Sequence, residues 1–207
     1  MSGRPGSRNG RFSCHLGPVA AAGSAVALLL ALVATPTSLF ADVQQDRRAE
    51  SGLKLFRALL SADLDLDRKA GDDRKLLIVL FFTDDRKRAD ELAKTLGSRD
   101  GRAETIHGLP LAVETTADPK FASFERRLPA GIFLTQAPDA RTLQEIIRFG
   151  VANRLVVYSP FEGHVESGVL GGLAVEAQVR PYLNQATLSA SRISLKEFFL
   201  SVAKVYR

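Results

Sequence analysis

His164 stands between two acidic residues, Glu162 and Glu166, in a polar stretch of the chain. An imidazole and carboxylates at this spacing can converge in a loop, where they could bind a metal ion or transfer protons. The only other histidine beyond residue 41 is His107, so the sequence does not predict a site built from several histidines. We expect His164, Glu162 and Glu166 to lie in a solvated loop that contacts a partner, with a metal or acid–base site as the alternative.

Polar residues also follow several predicted strands and could meet at one edge of a sheet: Thr83, Asp84, Gln136 and Ser159. Ligands of α/β proteins commonly bind in the crevice at the carboxyl ends of parallel strands. These four residues therefore form an alternative candidate site, for a small solute.

The acidic pair Asp84-Asp85 follows a buried strand, as do the magnesium-binding acids of phosphoacceptor receiver domains. A receiver also needs a further Asp and a Lys at the ends of later strands, and Gln136 and Ser159 stand there instead. We therefore expect Asp84 or Asp85 to cap the next helix. Ser159 lacks the flanking glycines of a nucleophile elbow, and no cofactor or metal site is predicted.

Three glycines, Gly168, Gly171 and Gly172, precede a predicted hairpin. They could cradle a phosphate, but they lead into a strand, and the amides of a helix N-terminus are then missing. We expect a bend or bulge at a sheet edge instead. Arg180 and Tyr182 lie on this hairpin, where Arg180 could pair with an anion or remain a surface arginine.

Strands and helices are predicted to alternate between residues 76 and 159. The strands are 76–82, 109–115, 131–135 and 154–159, and the helices between them are 86–96, 118–127 and 139–149. The first strand, LLIVLFF, has no polar alternation, which indicates cover on both faces. This order is typical of a parallel sheet with right-handed crossovers.

Further elements flank this region. An apolar stripe that includes Leu53 and Phe56 predicts a preceding helix. An antiparallel hairpin over 171–177 and 178–183 should lie at one edge of the sheet. A capping box of Ser194 and Glu197 predicts a last helix, with an apolar stripe that runs from Leu195 to Tyr206. The fold class is α/β: three layers, with a mostly parallel sheet, helices on both faces, a C-terminal hairpin and a final helix.

The first 41 residues have the pattern of a secretory signal peptide. Arg4, Arg8 and Arg11 precede an apolar span over 18–34, and cleavage after Ala41 would leave one domain over 42–207. An uncleaved anchor in the inner membrane is the alternative, and both outcomes export the domain, which we expect to be periplasmic.

Removal of the leader changes the charge and the cysteine content. The leader holds three of the 28 Lys and Arg residues, which leaves 25 against 23 Asp and Glu, so nucleic-acid binding is not predicted. The single cysteine, Cys14, also lies in the leader. The exported domain would have no disulfide and would depend on its core.

The segment 168–203 resembles the C-terminal part of the YfiR-like family of periplasmic proteins. The matching positions are Gly168, Gly171, Gly172, Leu173, Val175, Val179, Arg180, Leu183, Asn184, Leu188, Ile193, Leu195, Phe199, Leu200 and Ala203. The resemblance implies a three-layer α/β domain without catalytic activity that can dimerise. It also implies repression of a membrane diguanylate cyclase through its periplasmic sensor domain, in cyclic-di-GMP signalling.

This chain departs from the family pattern in two ways. It lacks the cysteines that YfiR uses, and Pro181-Tyr182 replaces a more usual acidic or aromatic hairpin sequence. The first interpretation, from the loop, the hairpin and the resemblance together, is an exported regulatory protein. It would bind its partner through the following residues: Phe161, Glu162, His164, Glu166, Arg180 and Tyr182. A periplasmic solute receptor that uses the crevice is the alternative, and an enzyme is a third hypothesis.

Overall fold

A computed structural model of the protein describes residues 37–99 and 101–207. The apolar span of the predicted leader lies outside the described residues. Within the described ranges, no helix is both long and apolar enough to cross a membrane. Contacts group Asp42–Arg207 into one compact unit.

The secondary structure alternates as the sequence predicts, with several additional short strands. In chain order the elements are α1 (Thr37–Ala62), β1 (Leu76–Phe81), α2 (Arg86–Gly97), β2 (Ser98–Arg99), β3 (Arg102–Ala103), β4 (Thr105–Ile106), β5 (Leu109–Thr116), β6 (Gly131–Leu134), α3 (Ala140–Ala152), β7 (Val156–Ser159), β8 (Gly171–Val175), β9 (Val179–Asn184), α4 (Gln185–Ala190), α5 (Glu197–Val202) and β10 (Lys204–Tyr206). Two 3-10 turns, Leu66–Lys69 and Ala122–Phe124, lie in the connections.

Eight strands form one mixed sheet in the order β10-β9-β8-β7-β6-β1-β5-β4. Strands β5, β1, β6, β7 and β8 pair in parallel, whereas β4 with β5 and β8 with β9 pair antiparallel. Strand β1 is central and all six of its residues are buried. The predicted α/β class and the C-terminal antiparallel hairpin are confirmed.

The sheet separates two apolar cores, so the fold has three layers. On one face, α1 and α2 pack against alternate strand residues that include Ile78 and Tyr158. On the other face, α3 and the turn at Phe121 pack against Val79 and Val157. The side chains of a strand alternate between the two faces of its sheet, which explains why LLIVLFF has no polar position.

Three of the predicted helices differ from the observed ones, and two of them lie within the alternating region. Over 118–127 only a 3-10 turn forms, because Phe121 has a left-handed backbone with φ of 53°, which a right-handed helix does not contain. The Asp118 carboxylate accepts the N–H groups of Lys120 and Ala122. Helix α3 continues past Gly150, which was expected to end it. A Cβ at Gly150 would lie 2.3 Å from Cγ2 of Val157, so this glycine allows the helix to pack on β7.

The predicted capping box at Ser194 does not form. The Ser194 carbonyl accepts the Leu64 N–H, and Lys196 N–H donates to the Ala62 carbonyl, so this segment pairs in extended form with the end of α1. The final helix, α5, begins later at Glu197 and is followed by β10. Strand β10 pairs with residues Tyr182–Asn184 of β9. The hairpin was expected to form the edge of the sheet, but β10 lies outside it and forms that edge.

Candidate functional site

The predicted partner-binding loop, residues 161–166, follows β7 and packs over the glycine-rich start of β8. Val165 is buried there. A Cβ at Gly172 would lie 2.6 Å from Cγ2 of Val165 and 2.9 Å from the Ser159 carbonyl oxygen. Gly172 thus permits the loop to lie directly on the strand. The expected bulge is not the role of this glycine, since β8 pairs continuously with β9 from Gly171 to Val175.

A hydrogen bond at the base of the loop fixes His164. The Ser159 hydroxyl lies 2.8 Å from His164 Nδ1 and also accepts the Phe161 N–H at 3.2 Å. Burial lowers the pKa of His164, while the nearby Glu166 carboxylate acts in the opposite direction. The neutral imidazole therefore suits this position, where the half-buried ring bonds Ser159.

The loop and the hairpin enclose an open groove of about 360 Å³. The groove is lined by Arg48, Phe161, Glu162, Gly163, Val165, Glu166, Leu173, Ala174, Val175, Glu176, Tyr182 and Lys204. Four of the six predicted partner-binding residues line it: Phe161, Glu162, Glu166 and Tyr182. Of the other two, His164 bonds Ser159, and Arg180 pairs with Glu176 at 3.1 Å.

The charges of the groove are partly paired. Lys204 Nζ donates to Glu176 at 2.9 Å and lies 5.2 Å from the centre of the Tyr182 ring. The hydrogen bond from Lys204 is the main reason why the pKa of Glu176 is lowered. Desolvation and a hydrogen bond with Glu166 raise the pKa of Tyr182. Among the described residues, Glu162 and Glu166 make no ion pair.

The carboxyl-end crevice brings together three of its four predicted residues. The Gln136 side-chain oxygen accepts the N–H groups of Thr83, Asp84 and Asp85 at 2.9, 3.1 and 3.0 Å. Its amide nitrogen donates to the Asp84 carboxylate. Ser159 does not join them, because it is fully buried and bonds His164. Asp85 accepts the Arg88 N–H and caps α2, as expected.

Two features of the geometry bear on catalytic and metal chemistry. Ser159 has no exposed surface, so a substrate cannot reach its hydroxyl. Nowhere in the part of the chain that the structure describes do three His, Cys, Asp or Glu side chains come together in a way that could hold a metal ion. The groove offers apolar surface and carboxylates, which suit binding.

Three charged residues of the groove were not predicted: Glu176, on the hairpin, and two residues from distant parts of the chain, Arg48 and Lys204. Arg48 lies on α1, more than a hundred residues from the loop, and its guanidinium donates to the Pro160 carbonyl. Lys204 comes from β10, which was predicted to be helical. Neither position has a local sequence signal, since each is brought to the groove only by the tertiary fold.

The chain matches no family model and no curated protein. One similar solved structure is an ABC domain in complex with L-Trp from Streptococcus pneumonia, with 10% identity and a TM-score of 0.47 over 72% of this chain and 62% of that one. Another is a conserved domain protein from Vibrio cholerae, with 14% identity and a TM-score of 0.46 over 68% and 57%. The chain thus spans about three fifths of each of these proteins. Similarity at this level says nothing of ligand or activity.

Proposed function

We propose that the protein is a regulatory binding protein without catalytic activity and that it docks a partner protein in the groove. The observation that carries this proposal is the composition of the groove. Phe161, Val175 and Tyr182 supply apolar and aromatic surface, and Val175 is 59% exposed. Glu162 and Glu166 stand beside them and make no ion pair within the described ranges, so their negative charges can meet a partner's cations, and Glu166 also hydrogen-bonds Tyr182.

The partner docks through side chains more than through the backbone of the hairpin edge. Strand β10 already pairs with β9 at Tyr182–Asn184. Strand addition along that stretch would displace β10 together with Lys204, which holds Glu176. A segment with one apolar anchor and a Lys or Arg beside it fits the groove.

The resemblance to the YfiR-like family supports a specific partner. We propose that the domain is exported, by a cleaved signal peptide or with its leader as an anchor, and binds the periplasmic sensor domain of a membrane diguanylate cyclase. Binding would keep the cyclase inactive and lower cyclic-di-GMP. A homodimer is part of the same proposal.

The test is the cyclic-di-GMP content of cells that lack the gene and carry either the unmodified chain or a variant. The deletion should raise the content and the unmodified chain should restore it. Phe161→Ala in the groove should fail to restore it at equal protein level, because anchor residues often contribute 2 kcal/mol or more, roughly a thirtyfold loss of affinity. Phe198→Ala is the matched control, since Phe198 is 81% exposed and lies outside the groove lining. An unchanged content in the deletion strain would refute the cyclase partner.

A second candidate function is binding of a small solute in the crevice. The convergence of three successive backbone N–H groups on the Gln136 oxygen favours it, because a ligand oxygen could replace that acceptor. A metabolite that binds there should raise the unfolding temperature of Gln136→Ala more than that of the unmodified chain. If no compound in a metabolite library raised the unfolding temperature of either protein, this function would be excluded.

A further inference from the structure

Two adjoining recesses lie at the amino ends of β1, β6 and β7, which is the opposite end of these strands from the crevice. The larger recess, of about 640 Å³, is bordered by residues just before these strands, including Asp73, Leu128 and Leu155. The smaller recess, of about 210 Å³, contains Arg154 and Arg192. The two share Arg68, Lys69 and Asn153, so together they have a volume typical of small-molecule sites.

The smaller recess has an excess of positive charge. Its two acids are already paired, Asp63 with Lys69 at 2.6 Å and Asp65 with Arg68 at 3.0 Å. Arg154 and Arg192 make no ion pair with any residue that the structure describes. Two exposed arginines without a carboxylate to balance them therefore line this recess. Guanidinium groups bind carboxylates and phosphates in bidentate geometry.

Both arginines have a left-handed backbone where glycine is the usual residue. Arg154 follows the C-cap of α3 with φ of 57°. Its N–H donates to Val151 and the Leu155 N–H donates to Gly150, which is a Schellman motif. Arg192 follows the C-cap of α4 with φ of 52°. Neither helix end requires an arginine, and the left-handed conformation costs any residue with a Cβ.

The fold fixes the backbone at both positions. Lys69 Nζ donates to the Arg154 carbonyl at 2.8 Å. Pairing of Leu64 with Ser194 holds the segment that follows Arg192. The two arginines are thus presented from two helix ends to one recess.

We infer that the smaller recess binds the carboxylate or phosphate group of a small soluble ligand between Arg154 and Arg192. The remainder of the ligand lies in the larger recess against Leu128, which is 41% exposed. Asp72 and Glu125 border that larger recess and make no ion pair within the described residues, so the anionic group belongs in the smaller one. This site is independent of the groove and of the proposed partner.

The test compares the unfolding temperature of four proteins as inorganic phosphate or citrate is added, with sodium chloride at matched ionic strength as reference. The variants are Arg154→Gly, Arg192→Gly and Arg74→Gly. Arg74 also has a left-handed backbone, with φ of 55°, but borders a different cavity. Arg74→Gly therefore makes the same change in charge and backbone outside the proposed site.

The unmodified chain and Arg74→Gly should be stabilised by one of the two anions in a saturable manner. Arg154→Gly and Arg192→Gly should need roughly tenfold more anion or show no response, because each loses a charge-assisted contact. Their unfolding temperatures without anion should be no lower than that of the unmodified chain, since glycine suits both positions. Equal responses in all four proteins, an equal effect of sodium chloride, or no response to either anion would overturn the inference.

Discussion

The Ser159 hydroxyl lies 2.8 Å from Nδ1 of His164, beneath the loop that forms one wall of the groove. A serine beside a histidine can be a nucleophile and its base, but this serine is fully buried. The same hydroxyl accepts the N–H of Phe161, one of the two aromatic residues of the groove. The pair therefore positions the loop, and the shape of the groove depends on it.

The Ser159–His164 pair makes the stability of the domain dependent on pH. Burial lowers the pKa of His164 in the folded state, although Glu166 opposes it, so the unfolded chain binds a proton at a pH where the folded chain does not. The contribution of His164 to the free energy of unfolding is therefore present above pH 6.5, the ordinary pKa of histidine. It is lost as the pH falls through the lower pKa that His164 has in the folded state.

The measurement is the free energy of unfolding at several pH values below neutrality, for the unmodified chain and for His164→Gln. Glutamine does not titrate, so the variant should lose less stability as the pH falls. An equally steep decline in the variant would show that His164 does not cause the pH dependence.

Gln136 provides a second prediction, because its side-chain oxygen must accept hydrogen bonds and its side-chain nitrogen must donate one. Its oxygen accepts three backbone N–H groups, and its nitrogen donates to the Asp84 carboxylate. Gln136→Glu should destabilise the domain by about 1–3 kcal/mol at neutral pH, because the new carboxylate loses the donor and repels Asp84.

The matched control is the double variant Gln136→Glu with Asp84→Asn, in which an amide again faces a carboxylate. Urea unfolding should show that much of the lost stability returns. A double variant that is less stable than Gln136→Glu alone would exclude repulsion by Asp84 as the cause.

Gly150 provides a third prediction, which concerns packing. An alanine within a helix is usually more stable than a glycine, by roughly 0.5–1 kcal/mol. Gly150→Ala should instead destabilise the domain by about 1–3 kcal/mol, because the new methyl group would meet Cγ2 of Val157 at 2.3 Å. In a Val157→Ala background the same substitution should cost less. Equal costs in both backgrounds, measured by urea unfolding, would rule out this contact as the cause.

The sequence predicted the elements whose patterns are local. The run at Leu76–Phe81 lacks polar positions because both faces of β1 are covered, and this can be read from composition alone. Asp84 or Asp85 was expected to cap α2 because Asp is favoured at a helix start, and Asp85 accepts the Arg88 N–H there.

Features that depend on distant contacts could not be predicted. Ser194 and Glu197 match a capping box, but pairing of Leu64 with Ser194 competes with the helix start. The resulting strand β10 carries Lys204 into the groove. Ser159 ends β7 as expected, yet its side chain bonds His164 and does not reach the crevice, since successive strand residues face opposite sides of the sheet.

Photo-crosslinking in cells tests most directly whether the groove docks a partner. A photoreactive phenylalanine analogue would replace Phe161 in the groove and, in a second chain, the exposed Phe198 outside it. Our account predicts that position 161 crosslinks to one membrane protein with an exported segment and that position 198 does not. A crosslink from position 198 with none from position 161, or none from either, would contradict it.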